Sequence, residues 1–196
     1  MSDGRSQRTN KVVAFIDDLG RDRAENFERL IATAKMLEPD GFEGNDWEKD
    51  AWVVNAGRLI KLTGKNTTES TFNFNYSPAL GATPIKGKWS DLAKSLFVLR
   101  FHRKNQSAPN QRNFITALGY VSYFAETLNQ NIETLTPEAL DLACKNISQH
   151  YAESTAYNLH KAVAEIAGHL DSNKLCRIAF KYRYARMKRP DNTSGV

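Results

Sequence analysis

The second half of this 196-residue chain carries apolar residues at steps of three and four positions, the period that places side chains on one face of an α-helix. One uninterrupted stripe lies between residues 110 and 129: Phe114, Leu118, Val121, Ala125 and Leu128. Further stripes recur between Trp89 and Tyr182 with short polar connections. Such helices bury their apolar faces against one another, so we predict a compact bundle of four or five short helices.

Capping signals predict where some of these helices begin. Ser90 is the predicted N-cap of the segment WSDLAKSLFVLRFHRK, with Asp91 in its first turn. Thr136 is the predicted N-cap of another helix, with Pro137 at its first helical position. The segment AESTAYNLHKAVAEIAGHLD carries the next stripe: Ala152, Ala156, Leu159, Val163, Ile166 and Leu170.

The first 88 residues predict a different organisation. Residues 1–18 are expected to be a flexible arm, and 19–88 a small mixed α/β unit. In that unit, apolar spacing predicts a helix over 21–37, and the alternation in STFNFNYSP predicts a half-buried strand. AWVVNAGRLIKLTG fits either a strand or a short helix. The predicted fold class is therefore mainly α, with the helical domain over 89–190 and a tail or linker over 191–196.

Positive charge is concentrated in particular regions. The formal net charge is +5, but residues 1–50 hold 8 basic and 12 acidic side chains, whereas 51–100 hold 7 and 2 and 151–196 hold 8 and 4. The densest run, between Lys174 and Arg189, has seven Lys or Arg and no acid. Its apolar positions recur at helical spacing, so we predict a last helix with a basic face. A regional excess of this kind suits a surface that faces a polyanion.

The sequence gives no sign of catalysis, metal binding or membrane insertion. It contains no phosphate-binding glycine loop, nucleophile elbow or zinc-protease motif, and we predict no cofactor and no small-molecule substrate. Cys144 and Cys176 lie far apart and are expected to be small core residues. His102 and His160 are potential phosphate donors, although a solvated surface position is the stronger expectation for each. With neither a signal stretch nor an apolar run long enough for a membrane span, the chain is expected to be cytoplasmic.

Binding to phosphates is better supported, because two predicted helices start with polar residues. Arg and Lys attract phosphates, hydroxyl and amide groups donate hydrogen bonds to them, and a helix start adds unpaired N–H groups. PNQRNF exposes Asn110, Gln111, Arg112 and Asn113 in this interpretation, and ESTAYNLHK exposes polar groups over two turns. The predicted DNA-contacting residues are Arg112, Asn113, Ser154, Thr155, Tyr157, Asn158, Lys161, Lys181, Arg183, Arg186, Lys188 and Arg189.

From about Trp89 to Pro190 the chain resembles the core-binding, SAM-like domain of tyrosine recombinases, the phage integrase family. The likeness is carried by NQRNFITALGYVSYFAETL, LTPEALDLA, YAESTAYNLHKAVAEIAGHL and the basic exit ending in KRP. The resemblance implies a domain that packs on one side of duplex DNA while a separate catalytic domain closes on the other. None of the four histidines begins the family's His-x-x-Arg element. As it stands the chain is thus expected not to be an enzyme but the DNA-binding part of a longer recombinase.

Two alternatives stay open. A helical protein-interaction module, or an accessory DNA-binding protein without recombinase activity, would bind an acidic partner or another copy of the chain through the basic end. A single-stranded RNA binder would stack bases on Tyr182 and Tyr184. The predicted partner is double-stranded DNA, with a homo-oligomer on DNA as a further possibility.

Overall fold

The computed structural model describes residues 22–37, 47–55, 69–75, 84–103, 107–176 and 182. Over these residues the chain forms seven elements: α1 (Arg23–Met36), β1 (Ala51–Asn55), β2 (Glu69–Asn73), α2 (Lys88–Arg103), α3 (Ala108–Thr127), α4 (Pro137–His150) and α5 (Glu153–Ser172). The predicted fold class is confirmed, because the protein is mainly helical with a small two-stranded antiparallel sheet near its N-terminus. The predicted arm and the tail lie outside the described residues. Of the predicted last helix, 174–176 and Tyr182 are described, and 174–176 are not helical, because α5 ends at Ser172 and a turn follows it. The rest of that helix lies outside the described residues.

The start of α2 corrects one capping prediction. Ser90 is not an N-cap, because the helix already begins at Lys88 and Ser90 is buried inside its first turn. The hydrogen-bond ladder starts one residue earlier still, where the N–H of Asp91 donates to the carbonyl of Gly87 over 3.1 Å. Gly87 has φ +52°, a conformation that glycine adopts without the steric cost a serine would meet. The backbone turn therefore sets where α2 starts.

The two strands supply an aromatic layer that packs against α2. Five residues of the ambiguous segment form β1, which pairs with β2 so that Trp52 lies opposite Phe72. The alternation predicted for the second strand is confirmed, since Phe72 and Phe74 are both buried. The ring centroid of Phe97, from α2, lies 4.8 Å from that of Phe72 and 5.2 Å from that of Phe74. These tilted and edge-on contacts add to the burial of large apolar surfaces.

α2 packs against both the sheet and the helical bundle. Residues 92–100 are all buried, as expected for a helix packed on every side, and α2 contacts both α1 and α3. Two cations lie in this stretch, so each needs a partner. The ammonium of Lys94 donates to the carbonyl of Trp47, and Arg100 points toward the bundle, where its partners are described below.

The remaining helices pack as their stripes predict. α3 contacts α4 and α5, which also contact each other. Leu118, Val121, Val163 and Ile166 are fully buried, whereas Ala152 is the exposed N-cap of α5. Thr136 precedes α4 as predicted, yet its side chain makes no capping bond.

The end of the bundle is joined to α1. The guanidinium Nε of Arg23 donates to the carbonyl of Cys176 over 2.9 Å, and the amide of Asn26 donates to the carbonyl of Lys174 over 3.3 Å. Both cysteines are free and buried, as expected for small core residues. Burial raises the pKa of the Cys144 thiol to about 11 and that of Cys176 to about 12. Both thiols are therefore unreactive at neutral pH.

Replacing Phe97 by Ala should destabilise the protein by about 3–5 kcal/mol, because the cavity would lie among the rings of both strands. Denaturant unfolding of the two proteins measures the difference. Met36→Ala is the matched control, since Met36 is 80% exposed and its replacement should change stability by about 0.5 kcal/mol or less. Equal effects of the two substitutions would contradict the packing described for α2.

Candidate nucleic-acid interface

A polar pocket, called the notch below, lies between the first turns of α3 and the middle of α5. Its volume is about 130 Å³. It is lined by Asn110 and Asn113 of α3, by Asn158, Lys161 and Glu165 of α5, and by Arg100 of α2. Asn113, Asn158 and Lys161 are predicted DNA-contacting residues, and Asn110 belongs to the predicted polar start of the helix that carries Asn113. The notch is therefore the place where the structure joins the two predicted polar helix starts.

The sequence places Asn110 and Asn113 on one face because α3 starts earlier than predicted. Ser107 is its N-cap and accepts a hydrogen bond from the N–H of Asn110 over 3.3 Å, and Pro109 lies in the first turn. Positions three apart on a helix are neighbours on its surface, so both amides reach the notch. Gln111 does not share their exposure, contrary to the prediction, since it is fully buried.

Gln111 is buried because it binds the guanidinium beneath the notch. Nε of Arg100 donates to Oε1 of Gln111 over 3.1 Å, and the guanidinium carbon lies 4.0 Å from the ring centroid of Phe114. Arg100 is only 5% exposed. An aromatic face and a side-chain acceptor offset part of the cost of removing this cation from water.

Glu165 supplies the counter-charge. Its Oε2 lies 2.7 Å from Nη1 of Arg100, and its Oε1 lies 3.8 Å from Nε2 of His169. Burial by itself would raise the pKa of this carboxyl, but His169 and Arg100 outweigh burial and lower it. For Arg100, burial lowers the pKa of the guanidinium, and this outweighs the charge of Glu165, which would raise it. The base of the notch is thus an ion pair whose charges cancel.

The predicted residues of α5 follow one exposed strip. Ser154, Asn158 and Lys161 recur at four- and three-residue steps and are all exposed. Thr155 and Tyr157 are half-buried beside them, and Nζ of Lys161 lies 5.8 Å from the ring centroid of Tyr157. The structure therefore brings Asn158 and Lys161 together with Asn113, at the notch.

Arg112 lies apart from this group. It is exposed, and its guanidinium carbon is 5.7 Å from the ring centroid of Phe72 in β2. It thus faces the sheet, whereas its neighbour Asn113 lines the notch. The predicted residues Lys181, Arg183, Arg186, Lys188 and Arg189 lie outside the described residues.

Tyr182 belongs to that basic run and is anchored to α4. Its hydroxyl donates to Oδ1 of Asp141 over 2.9 Å and contacts the sulfur of Cys144 at 3.4 Å. Burial, together with these contacts, raises its pKa. The ring also packs against the hydrophobic core, which disfavours the prediction that it stacks on bases.

His160 is buried, so the expectation of a solvated surface position is wrong for it, whereas His102 is exposed. Nε2 of His160 lies 2.9 Å from the carbonyl oxygen of Cys144 and 3.2 Å from the hydroxyl of Ser148. A carbonyl only accepts, so the ring hydrogen is on Nε2. This contact joins α5 to α4, and burial lowers the pKa of the imidazole.

Two residues of the notch were missed from the sequence. Arg100 stands in an apolar run, and a cation in such a run is a signal of a buried partner. Glu165 stands four residues after Lys161 and four before His169, which reads as an ordinary surface pairing. Neither signal identifies the other residue as the partner, because the two are 65 positions apart.

Comparison with family models, with curated proteins and with solved structures found no match. Over the described residues, no helix combines the length and apolar character that crossing a bilayer requires. Nor do those residues place three or more His, Cys, Asp or Glu side chains where they would hold a metal ion.

Glu165→Ala should destabilise the protein by about 2 kcal/mol, because it leaves Arg100 buried without a counter-charge. Glu133→Ala is a matched control. Glu133 is as exposed as Glu165 (40% against 39%), but its partner Lys88, at 3.7 Å, is 61% exposed. A surface pair contributes little, so the control should lose about 0.5 kcal/mol or less. Denaturant unfolding checks both, and similar losses would show that the burial of Arg100 carries no such cost.

Acidification should weaken the fold through His160. Because the folded protein holds this imidazole at a pKa below its ordinary 6.5, the unfolded chain binds more protons, and stability is lost as pH falls below that value. His160→Gln keeps an N–H donor and removes the titration, so its unfolding free energy should fall less on acidification. His102→Gln controls for the loss of a histidine as such. Identical pH profiles for wild type and His160→Gln would contradict the assignment.

Proposed function

We propose that the chain binds duplex DNA, and that it does so as the DNA-binding part of a tyrosine recombinase. The observation that carries the binding proposal is the notch, where the polar starts of two helices converge with an exposed lysine. Asn110, Asn113 and Asn158 present amides there, and Lys161 an ammonium. Groups of these types make most contacts between proteins and DNA.

The exposed strip of α5 supplies the phosphate contacts in this proposal. Ser154 offers a hydroxyl, Lys161 a positive charge and Thr155 a second hydroxyl close to the helix start. Glu153 occupies the first turn of the same helix, and its charge opposes a phosphate at the helix end itself. The backbone of the DNA is therefore expected along the strip toward Lys161.

The basic run from Lys174 to Arg189 extends the same interaction in the proposal. Its net positive charge supports it, as does the anchoring of Tyr182 to Asp141. That anchor holds Tyr182, in the middle of the run, beside α4, which contacts the helix that carries the strip. Lys181, Arg183, Arg186, Lys188 and Arg189 would then neutralise further phosphates.

The recombinase part of the proposal rests on the resemblance over residues 89–190. In that family the catalytic groups belong to a separate domain, so this chain would hold DNA and that domain would act on it, in the cytoplasm and with several copies assembled on one site. A protein-interaction module is the competing proposal. Such a module would bind an acidic partner or another copy of the chain through the basic end. An apolar docking surface adds no support for it among the described residues, where the exposed large apolar side chains, Met36 and Val53, lie on different elements.

Binding to duplex DNA should depend steeply on salt. Each phosphate neutralised by a cation contributes about −0.9 to the slope of log K against log salt concentration. Lys161→Ala should weaken binding to all duplexes and reduce the slope by about one unit. The measurement is a fluorescence titration of one duplex between about 50 and 200 mM salt.

Lys145→Ala is the matched control, since Lys145 is an exposed lysine of α4 that does not line the notch. It should leave both affinity and slope close to those of the wild type. Absence of binding at the lowest salt concentration would sink the proposal, and self-association in its place would favour the interaction module. An equal loss for both variants would remove the notch from the interface.

A further inference from the structure

The geometry points to a base-reading pocket: we propose that the notch recognises the edge of a nucleobase in the major groove, with the carboxamides of Asn113 and Asn158, rather than a phosphate. This inference rests on the proposed binding of duplex DNA and deepens it. It assigns Ser154 and Lys161 of the strip to the DNA backbone, and Asn113 and Asn158 of the notch to the bases.

The first argument is the chemistry of the side chains that are available. Within the described part of the chain, the side-chain amides of Asn110, Asn113 and Asn158 have no intramolecular hydrogen-bond partner, and all three line one pocket. Each carboxamide offers a donor and an acceptor at once. A phosphate only accepts hydrogen bonds, so it would use the N–H donors of a carboxamide and leave its oxygen unpaired. The edge of a base presents both donors and acceptors.

The second argument is the charge inside the notch. The carboxylate of Glu165 lines it and is 39% exposed, so a phosphate there would meet a like charge. The guanidinium of Arg100 is already paired with that carboxylate at 2.7 Å and held by Gln111 at 3.1 Å. Of the two cations that line the notch, Arg100 is neutralised by its ion pair with Glu165, and Lys161 stands outside that ion pair. A neutral base edge with an exocyclic amino group meets no such repulsion.

The third argument is the rigidity of the floor. Arg100 is bound to α3 through Gln111 and to α5 through Glu165, so the two helices that carry the asparagines are fixed relative to each other. Carboxamides held at fixed positions are what recognition of base edges requires, because a misplaced carboxamide loses its bidentate geometry. The favoured base is adenine, whose N6 and N7 match a carboxamide.

Selection from a randomised duplex library tests the inference with the full chain. Wild-type protein should enrich a motif with adenine at a fixed position. Asn158→Ala and Asn113→Ala should each lose discrimination by about 5- to 150-fold at the base that the removed carboxamide contacts, the range for one bidentate contact. Their affinity for a scrambled duplex should fall by less than their affinity for the selected motif. Asn158→Asp, of the same size, should shift the preference toward cytosine, whose N4 amino group donates to a carboxylate.

Gln149→Ala is the matched control, because Gln149 is an exposed amide of α4 that does not line the notch. It should recover the wild-type motif. If the asparagine variants also recover that motif, or if wild type binds duplexes without enriching any, base reading is overturned while DNA binding stands. If wild type binds no duplex at low salt, the proposed function fails and the inference fails with it. Thermal unfolding of each variant confirms that its fold is retained, and Asn158→Asp gives a second reading at that position.

Discussion

The burial of Arg100 is the constraint on which the arrangement of the helices around the notch depends. A guanidinium removed from water costs several kcal/mol unless ionic and hydrogen-bonding partners compensate it. Here the partners come from two other helices: Gln111 of α3 accepts from Nε, Glu165 of α5 pairs with Nη1, and Phe114 lies under the guanidinium plane. Movement of α3 away from α2 would remove Gln111 and Phe114, and movement of α5 would remove the counter-charge of Glu165. The ion pair therefore selects one packing of three helices.

The same helix explains how the small sheet and the bundle are held together. Toward the sheet α2 presents Phe97, whose ring meets aromatic side chains of both strands. Toward α3 and α5 it presents Arg100, three residues later. A two-stranded sheet is not independently stable in water, so β1 and β2 depend on the aromatic layer they form with α2. Apolar packing thus fixes one side of α2 and a polar cluster fixes the other.

The spacing of apolar residues predicted the helices that bury one face and expose the other. It was less informative where contacts between residues far apart in the chain decide the secondary structure of a segment. The stripes of α1, α3 and α5 follow from spacing alone, because each helix buries one face, whereas α4 was predicted from the residues at its start, Thr136 and Pro137. The segment that forms β1 stayed ambiguous because the spacing of its apolar residues does not distinguish a strand from a short helix. Pairing with β2 decides it. Ser90 looked like a cap, yet the turn at Gly87 starts the helix earlier. Local patterns do not carry that backbone information.

The candidate site divides in the same way. The polar starts of α3 and α5 were visible as sequence, and the structure joins Asn113, Asn158 and Lys161 at one notch. The burial of Gln111 and His160 was not visible, because each binds a partner on a neighbouring helix: Arg100 for the first, Cys144 for the second. A polar residue on a helix face is exposed only if no neighbour requires its hydrogen bond, and this depends on packing.

The distribution of charge separates two tasks that a DNA-binding surface has to perform. Long-range attraction needs an excess of cations, and the run from Lys174 to Arg189 holds seven Lys or Arg and no acid. Discrimination between bases needs neutral donors and acceptors at fixed positions, since a strong field attracts every sequence equally. At the notch the charges of Arg100 and Glu165 cancel, so the side-chain amides of the asparagines are the neutral groups that could form hydrogen bonds with a base. In the proposed function, the cations of that run would supply orientation through phosphates, and the amides of the notch would supply selectivity through base edges.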